Sequence, residues 1–131
     1  MRAALAIVDK RRMSPEKTEV LHILGDVNDK NVVMVDDIIA TAGSLIDAVA
    51  ALKRNGARGI YAAASHGVLS GPAKERIANC KDLLEVVITN SIPLKDDVPN
   101  SKIKQLSIAP LLAEAIARTH NEESISSLFD N

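Results

Sequence analysis

The residues of this 131-residue chain with the clearest chemical potential lie in one short segment. Asp36 and Asp37 directly follow an apolar run, Val32–Val35, and a turn of small and hydroxyl-bearing residues comes next, Ala40–Ser44. Backbone N–H groups at the start of a helix bind anions, and glycine lets an anion approach the backbone closely. Carboxylates repel an anion but accept hydrogen bonds from sugar hydroxyls, or bind a metal ion. The segment therefore predicts a sugar phosphate site.

The same residues also have a purely structural interpretation. Asp36 and Asp37 could simply end a strand, and Ser44 could simply cap a helix. A single acid would favour that interpretation, but two acids, a small-residue turn and two hydroxyls together favour a ligand. The spacing is not that of a Walker A loop, which ends in Gly-Lys-Ser/Thr.

Apolar strands and amphipathic helices alternate along the chain and position this segment. The predicted strands are Leu5–Val8, Glu19–Leu24, Val32–Val35, Ile60–Ala64, Val86–Thr89 and Ile103–Ile108. Helices are predicted from Ser44 to Gly56, from Pro72 to about Asn79, and from Pro110 with Leu112, Ala115, Ile116 and Thr119 on one face. The alternation predicts one α/β domain over residues 1–131: a three-layer, Rossmann-like parallel sheet flanked by helices. Such sheets bind ligands at the carboxyl ends of their strands.

Composition argues against several classes of protein. The formal net charge is −1, and Tyr61 and Phe129 are the only aromatic residues, so no nucleic-acid partner is expected. No apolar run reaches the roughly 18 residues of a membrane span, and the N-terminus is predicted as a strand rather than a signal peptide. Cys80 stands alone and no histidines or cysteines cluster, so neither a disulfide nor a bound metal site is expected. These features favour a cytoplasmic protein.

The Asp36–Ser44 segment resembles the phosphoribosyl-binding motif of the type I phosphoribosyltransferase fold. That motif is an apolar strand, two acids, two variable residues and then Asp/Ala-Thr-Gly/Ala-Gly-Thr/Ser, and salvage transferases share it with pyrophosphokinases. The rest of the chain resembles ribose-phosphate pyrophosphokinase (phosphoribosyl pyrophosphate synthetase). The segments that carry this resemblance are Asp9–Arg12, Ser65–Ala73, Thr89–Pro93, Gln105–Ile116 and Ser124–Phe129. It covers nearly the whole chain but only the C-terminal part of that enzyme.

The resemblance implies a reaction and a set of roles. The family transfers the diphosphoryl group of Mg-ATP, and so uses Mg²⁺, to the C1 hydroxyl of ribose 5-phosphate, giving phosphoribosyl pyrophosphate and AMP. The 5-phosphate would be wrapped by Ala40, Thr41, Ala42, Gly43 and Ser44. Asp36 and Asp37 would take the ribose hydroxyls. Lys10 and Arg12 would lie on a mobile catalytic loop, where cations stabilise the transferring charge. Without the resemblance, the residues around Lys10 look like a solvated charge run.

The resemblance also extends to regulation and assembly. Ser124, Ser126 and Phe129 match the tail that helps form a regulatory phosphate/ADP site, the alternative being a frayed C-terminus. The full-length family is homo-oligomeric. Ala40 stands where the family often has Asp, which removes a carboxylate near the anomeric carbon.

The resemblance further implies that the adenine pocket and a pyrophosphate loop belong to the family's N-terminal part. The 131 residues alone are therefore expected to be inactive. Two other functions stay open: a non-catalytic regulatory or binding subunit, and a nucleobase phosphoribosyltransferase. The segment Ile103–Ile116 and the tail favour the pyrophosphokinases over the latter.

Overall fold

The computed structural model describes residues 3–11, 20–94 and 102–129. Within these ranges the strands are β1 (Ile7–Arg11), β2 (Val20–Leu24), β3 (Asn31–Ile39), β4 (Gly59–Gly67), β5 (Leu83–Thr89) and β6 (Ile103–Leu106). The α-helices are α1 (Gly43–Arg54), α2 (Ala73–Asn79) and α3 (Ala109–His120), and a 3-10 turn follows at Ser126–Leu128. None of the helices in these ranges is both long and apolar enough to span a lipid bilayer.

The main sheet has the strand order β3-β4-β5-β6, and all its pairings are parallel. Helix α1 connects β3 to β4, and α2 connects β4 to β5. The predicted α/β fold, a parallel sheet flanked by helices, is therefore confirmed. The parallel arrangement places the carboxyl ends of all four strands at one edge, where ligands bind in such sheets.

The first two strands depart from the parallel prediction. They pair antiparallel in a separate two-stranded sheet, and β2 packs against α1. A parallel crossover needs about a dozen residues or more, and only residues 12–19 separate these strands. The predicted loop at Asp9 is also wrong as far as Arg11, because backbone pairing with β2 carries β1 through these charged residues.

The core lies between the helices and the middle strands. Helix α1 contributes Val49 and Leu52, and α2 contributes Ala73 and Ile77. Their partners in the core include Ile60, Ala62, Leu83, Val86 and Ile88 from the central strands. This packing fixes α1 and α2 against the sheet, and with them the segments that lead into each helix.

Strand β3 is longer and more open than predicted. It continues through Asp36 and Asp37 to Ile39 instead of ending at Val35. A fully apolar run such as Val32–Val35 is typical of a buried strand, but the side chains of Val33 and Val35 are 62% and 81% exposed. The physical reason is the alternation of the strand: Val32 and Met34 pack half-buried against the core, so Val33 and Val35 lie on the opposite, uncovered face.

A polar turn that contains Asp26 and Lys30 precedes β3. Lys30 Nζ lies 2.6 Å from Asp26 Oδ2, and this hydrogen bond holds the pKa of the Asp26 carboxyl below its usual value. The other carboxyl oxygen of Asp26 accepts the N–H of Asn28 at 3.0 Å. Both groups are exposed, so they shape the turn more than they stabilise the fold.

Helix α3 begins at Ala109 as Pro110 predicted, but none of its residues is buried among the described residues. Leu112 and Ile116 of the predicted apolar face are exposed, and Ala115 is half-buried. The pattern therefore identified the helix correctly, while the described structure leaves most of its apolar face uncovered.

Replacing Ile77 with alanine is expected to lower the free energy of unfolding by about 2–5 kcal/mol, because the buried side chain would leave a cavity. Ile116→Ala is the matched control, since Ile77 is 1% exposed and Ile116 is 69% exposed, both on helices. The control should change stability by no more than about 0.5 kcal/mol. Urea denaturation followed by circular dichroism measures both, and equal losses would contradict the described core.

Candidate functional site

The turn between β3 and α1 has a backbone shape suited to an anion. Ala42 adopts the left-handed conformation, with φ 59° and ψ 10°, and stands at the N-cap position of α1. A left-handed residue next to a right-handed one turns consecutive N–H groups into a shared concavity that binds anions. The left-handed conformation is unfavourable for residues other than glycine. Ala42 is 4% exposed, so packing around it maintains this conformation.

In the described part of the chain, no side chain satisfies the N–H groups of the first turn of α1. No side-chain cap hydrogen bond forms there among these residues, and the turn contains no acid. The prediction that Ser44 caps the helix is wrong, because Ser44 is the second helical residue and Ala42 occupies the cap position. The initial N–H groups of a helix have no partner within it, and the helix dipole makes this end positive. The start of α1 can therefore accept a phosphate.

The segment that links β4 to α2, together with α2 itself, holds the carbonyl groups of this turn. The N–H of Leu69 donates to Ile39 O at 3.1 Å, and the N–H of Ser70 donates to Ala40 O at 2.9 Å. Arg76 Nη1 donates to Thr41 O at 2.9 Å. Three consecutive carbonyl oxygens are thus held by a neighbouring segment. Sequence reasoning missed this contact and had no local signal for it, because Arg76 is 35 residues from Thr41.

Gly43 at the start of α1 has free space where a side chain would be. A Cβ atom built there would lie 3.5 Å from Arg76 Nη1 and 3.8 Å from Thr41 Oγ1, both ordinary contacts. The fold therefore has room for alanine at this position. The value of glycine is the close approach that it allows to the backbone N–H groups.

The two acids at the end of β3 lie in different surroundings. Successive side chains of a strand point to opposite faces, so the carboxyl groups of Asp36 and Asp37 diverge. Asp36 lines a cavity of about 670 Å³ together with the turn 40–44, whereas Asp37 is not among its lining residues. Both acids are exposed, and Asp36 Oδ1 accepts the N–H of Asp37 at 2.9 Å. The structure thus places Asp36 in the same cavity as the turn 40–44.

The rest of the cavity wall is mostly apolar. It comes from residues 5–8, from β3 and from Leu45, Ala48 and Leu52 of α1. A volume of several hundred Å³ is typical of small-molecule sites. The cavity can therefore hold a sugar phosphate, with its acceptor Asp36 and its N–H donors at the turn.

A polar network ties together the carboxyl ends of the neighbouring strands. His66 Nδ1 lies 2.8 Å from Ser91 Oγ, and the Thr89 hydroxyl donates to Ser65 O at 2.6 Å. His66 is paired with Ile38 of β3, so this network lies at the same edge as the anion-binding turn. The hydrogen bond between His66 and Ser91 fits a structural role, which is the commoner role of a lone histidine.

Comparison with known proteins agrees with this arrangement. Residues 4–130 match the family described as phosphoribosyl synthetase-associated domain. The chain belongs to this family. It is 49% identical over 130 residues to a ribose-phosphate pyrophosphokinase of Oceanobacillus iheyensis and 52% identical over 129 residues to one of Caldanaerobacter subterraneus. The first match covers 99% of this chain and 41% of the Oceanobacillus protein. The second match covers 98% of this chain and 40% of the Caldanaerobacter protein.

A solved structure shows the same fold. It is the phosphoribosylpyrophosphate synthetase from Mycobacterium smegmatis, which matches with a TM-score of 0.74 and 40% identity, over 81% of this chain and 35% of that one. The family resemblance inferred from the residues is therefore confirmed. This phosphoribosyl synthetase-associated domain spans about two fifths of the length of its curated relatives.

The proposed catalytic cations fall at or beyond the edge of the described residues. The backbone of Lys10 lies in β1, where it pairs with Leu21. Arg12 lies outside the described residues, as do the further residues of the predicted mobile loop up to Lys17. Their catalytic role stays a prediction.

The C-terminal tail of the domain is tied to α3. Arg118 Nη1 donates to Ser124 O at 3.1 Å and to Ser127 Oγ at 2.6 Å. Ser124 Oγ and Ser126 Oγ lie 2.7 Å apart, and Phe129 is exposed. The described part of the tail therefore has defined hydrogen bonds, and its regulatory role stays a prediction.

Asp36→Asn and Asp37→Asn are each expected to change the free energy of unfolding by no more than about 0.5 kcal/mol. Both carboxylates are exposed, no cation of the described residues pairs with them, and asparagine can still accept the N–H of residue 37. Urea denaturation at neutral pH measures the effect. A loss of more than about 2 kcal/mol would assign these acids a structural role instead.

Proposed function

We propose that this domain binds ribose 5-phosphate as the acceptor for diphosphate transfer from Mg-ATP, giving phosphoribosyl pyrophosphate and AMP. The observation that carries the proposal is the uncapped start of α1, preceded by left-handed Ala42 and sharing a cavity with Asp36. Relatives 49% identical over nearly the whole chain are named ribose-phosphate pyrophosphokinase.

The phosphate end of the ligand fits the turn 40–44. The free N–H groups and the positive end of the α1 dipole favour a dianion. Thr41 and Ser44 are exposed, so their hydroxyls can donate to phosphate oxygens. Since Arg76 and the backbone of Leu69 and Ser70 hold the carbonyls, the turn presents donors more than acceptors to the ligand.

The sugar end of the ligand fits the acids of β3. Asp36 lines the cavity and can accept hydrogen bonds from ribose hydroxyls, and Asp37 follows on the opposite face of the strand. Carboxylate oxygens also suit Mg²⁺, which would arrive with ATP and draw charge from the transferring phosphates. Ala40 adds no acid here, so Asp36 and Asp37 supply the carboxylates of this segment.

The cations for the transfer would come from β1 and the loop after it. Ile7 and Val8 line the same cavity as the turn 40–44. Lys10 lies two residues further along the strand, at about 3.3 Å per residue. Lys10 and Arg12 would stabilise the negative charge on the transferring group and on departing AMP.

The nucleotide side of the reaction would come from the part of the relatives that this chain does not match. Val33 and Val35 on the free edge of β3 and Leu5 beside the cavity are exposed apolar residues. The face of a parallel sheet that carries such residues is normally covered in α/β proteins. We propose that the remaining three fifths of the relatives' length covers it and forms the adenine pocket, in a homo-oligomeric assembly.

A non-catalytic ribose phosphate-binding subunit is the second candidate. The observation that favours it is Ala40, which removes a carboxylate that the family often has beside the reacting carbon. Both candidates require the phosphate site, and only the first requires AMP release.

Ribose 5-phosphate is expected to bind the 131-residue chain, measured by calorimetry, with inorganic phosphate as a weaker probe. Gly43→Val should abolish binding, because its branched side chain would fill the approach to the N–H groups. Gly43→Ala should weaken binding, because its methyl group would partly obstruct the N–H groups. The urea midpoint should stay unchanged, because the added Cβ would lie at an ordinary contact distance of 3.5 Å from Arg76 Nη1. If Gly43→Val binds as tightly as the parent, the phosphate site lies elsewhere.

The 131 residues alone are expected to release no detectable AMP from ATP and ribose 5-phosphate. Losing the positioning of one substrate can cost about 7–11 kcal/mol of barrier, which is many orders of magnitude in rate. Adding the unmatched part of the Bacillus subtilis relative, fused or as a separate chain, should produce activity. Rapid turnover by the chain alone would contradict the assignment of the nucleotide site.

In the active, completed protein, Lys10→Ala or Arg12→Ala should each reduce the rate by at least about 100-fold. Lys53→Ala, in the last turn of α1, is the control and should leave the rate near that of the parent. Ribose 5-phosphate binding that persists without any AMP release in the completed protein would favour the non-catalytic subunit.

A further inference from the structure

We infer that Arg76 is a positioning residue: it holds the peptide group between Thr41 and Ala42 so that the Ala42 N–H faces the bound anion. The inference rests on the proposed phosphate site, but the contact that carries it is independent of any ligand. Arg76 Nη1 donates to Thr41 O at 2.9 Å, across 35 residues of sequence.

The direction of the Ala42 N–H follows from peptide geometry. A trans peptide group is planar, and its C=O and N–H bonds point in opposite directions. None of the described peptide bonds is cis. Because the Thr41 carbonyl points toward Arg76 on α2, the Ala42 N–H points away from α2. One donor of the anion-binding concavity is therefore set by one arginine.

The alternative orientation of this peptide would reverse its effect on a phosphate. Type I and type II turns differ in the orientation of the central peptide, because the backbone angles on either side of that peptide differ. With the peptide flipped, the Thr41 carbonyl oxygen would replace the N–H in the concavity and repel the anion. Ala42 keeps a φ of 59°, a left-handed conformation that disfavours non-glycine residues, so its orientation needs support from outside the turn.

Arg76 is well placed to give that support. Its neighbours on α2, Ala73 and Ile77, are fully buried and fix the helix against the core. Its Nη1 atom also lies beside the first residue of α1, 3.5 Å from the position of a Cβ atom on Gly43. No carboxylate in the described part of the chain pairs with Arg76, so its donors are directed to the turn rather than to an acid.

The other two hydrogen bonds to the turn make the effect of Arg76 separable. Leu69 and Ser70 hold the carbonyls of Ile39 and Ala40 through their backbone N–H groups, which no change of side chain at position 76 removes. Replacing Arg76 therefore releases the peptide 41–42 alone and leaves the preceding carbonyls in place.

The test compares three variants of the 131-residue chain. Arg76→Met keeps a long side chain without a donor, Arg76→Lys keeps a cationic donor, and Arg54→Met makes the same change in the last turn of α1. Ribose 5-phosphate affinity is measured by calorimetry, and exchange broadening of the Ala42 and Gly43 amide resonances is measured by NMR in the free protein. Relaxation dispersion detects the microsecond-to-millisecond motion expected of a flipping peptide.

Arg76→Met is expected to weaken ribose 5-phosphate binding by about tenfold or more and to broaden the Ala42 and Gly43 resonances. Arg76→Lys should recover part of the affinity, and Arg54→Met should match the parent in both measurements. Weaker binding without broadening would mean that Arg76 acts through its charge alone, and would overturn the positioning role. Equal affinity of Arg76→Met and the parent would also overturn it.

The two proposals fail in different ways. If the parent chain binds no ribose 5-phosphate, the proposed function is wrong. Broadening in Arg76→Met would in that case still show that Arg76 holds the peptide, and unchanged sharp resonances would show that it does not.

Discussion

The start of α1 depends on one constraint: the carbonyl oxygens of Ile39, Ala40 and Thr41 are all engaged by donors from the β4–α2 link and from Arg76 of α2. A backbone turn normally presents both acceptors and donors, and the acceptors would repel a phosphate. When a neighbouring segment takes the acceptors, the donors remain for a ligand. The parallel pairing of β3 with β4 makes this possible, because it brings the two strand ends side by side.

The same pairing also explains why Asp36, Asp37 and the turn 40–44 share one edge of the sheet. Asp36 lies opposite Ala64, and Ile38 lies opposite His66, so the last residues of both strands reach the ligand edge together. The packed helices α1 and α2 fix the turns that come after these strands. A carboxylate that suits sugar hydroxyls and N–H groups that suit phosphate are thus held on rigid elements, which is the condition for precise binding.

The exposed apolar residues show where the described structure is open. Val33 and Val35 on β3 and Leu112 and Ile116 on α3 are each at least half exposed, although their patterns are those of buried residues. Matched relatives are about two and a half times as long as this chain, since it covers 41% and 40% of two of them. The uncovered apolar surface supports the proposal that the unmatched part of such relatives covers it.

The sequence by itself predicted the fold class, the family and a sugar phosphate site. Alternating apolar strands and amphipathic helices predicted the α/β fold, the run from Asp36 to Ser44 predicted the sugar phosphate site, and motifs along the rest of the chain predicted the family, because each of these signals is local in the chain. Only the tertiary structure decided the rest. The antiparallel pairing of β1 with β2, the exposure of Val35 and the contact of Arg76 with Thr41 all depend on partners distant in sequence. A local pattern cannot specify which distant donor meets a given carbonyl, since that depends on how the whole sheet packs.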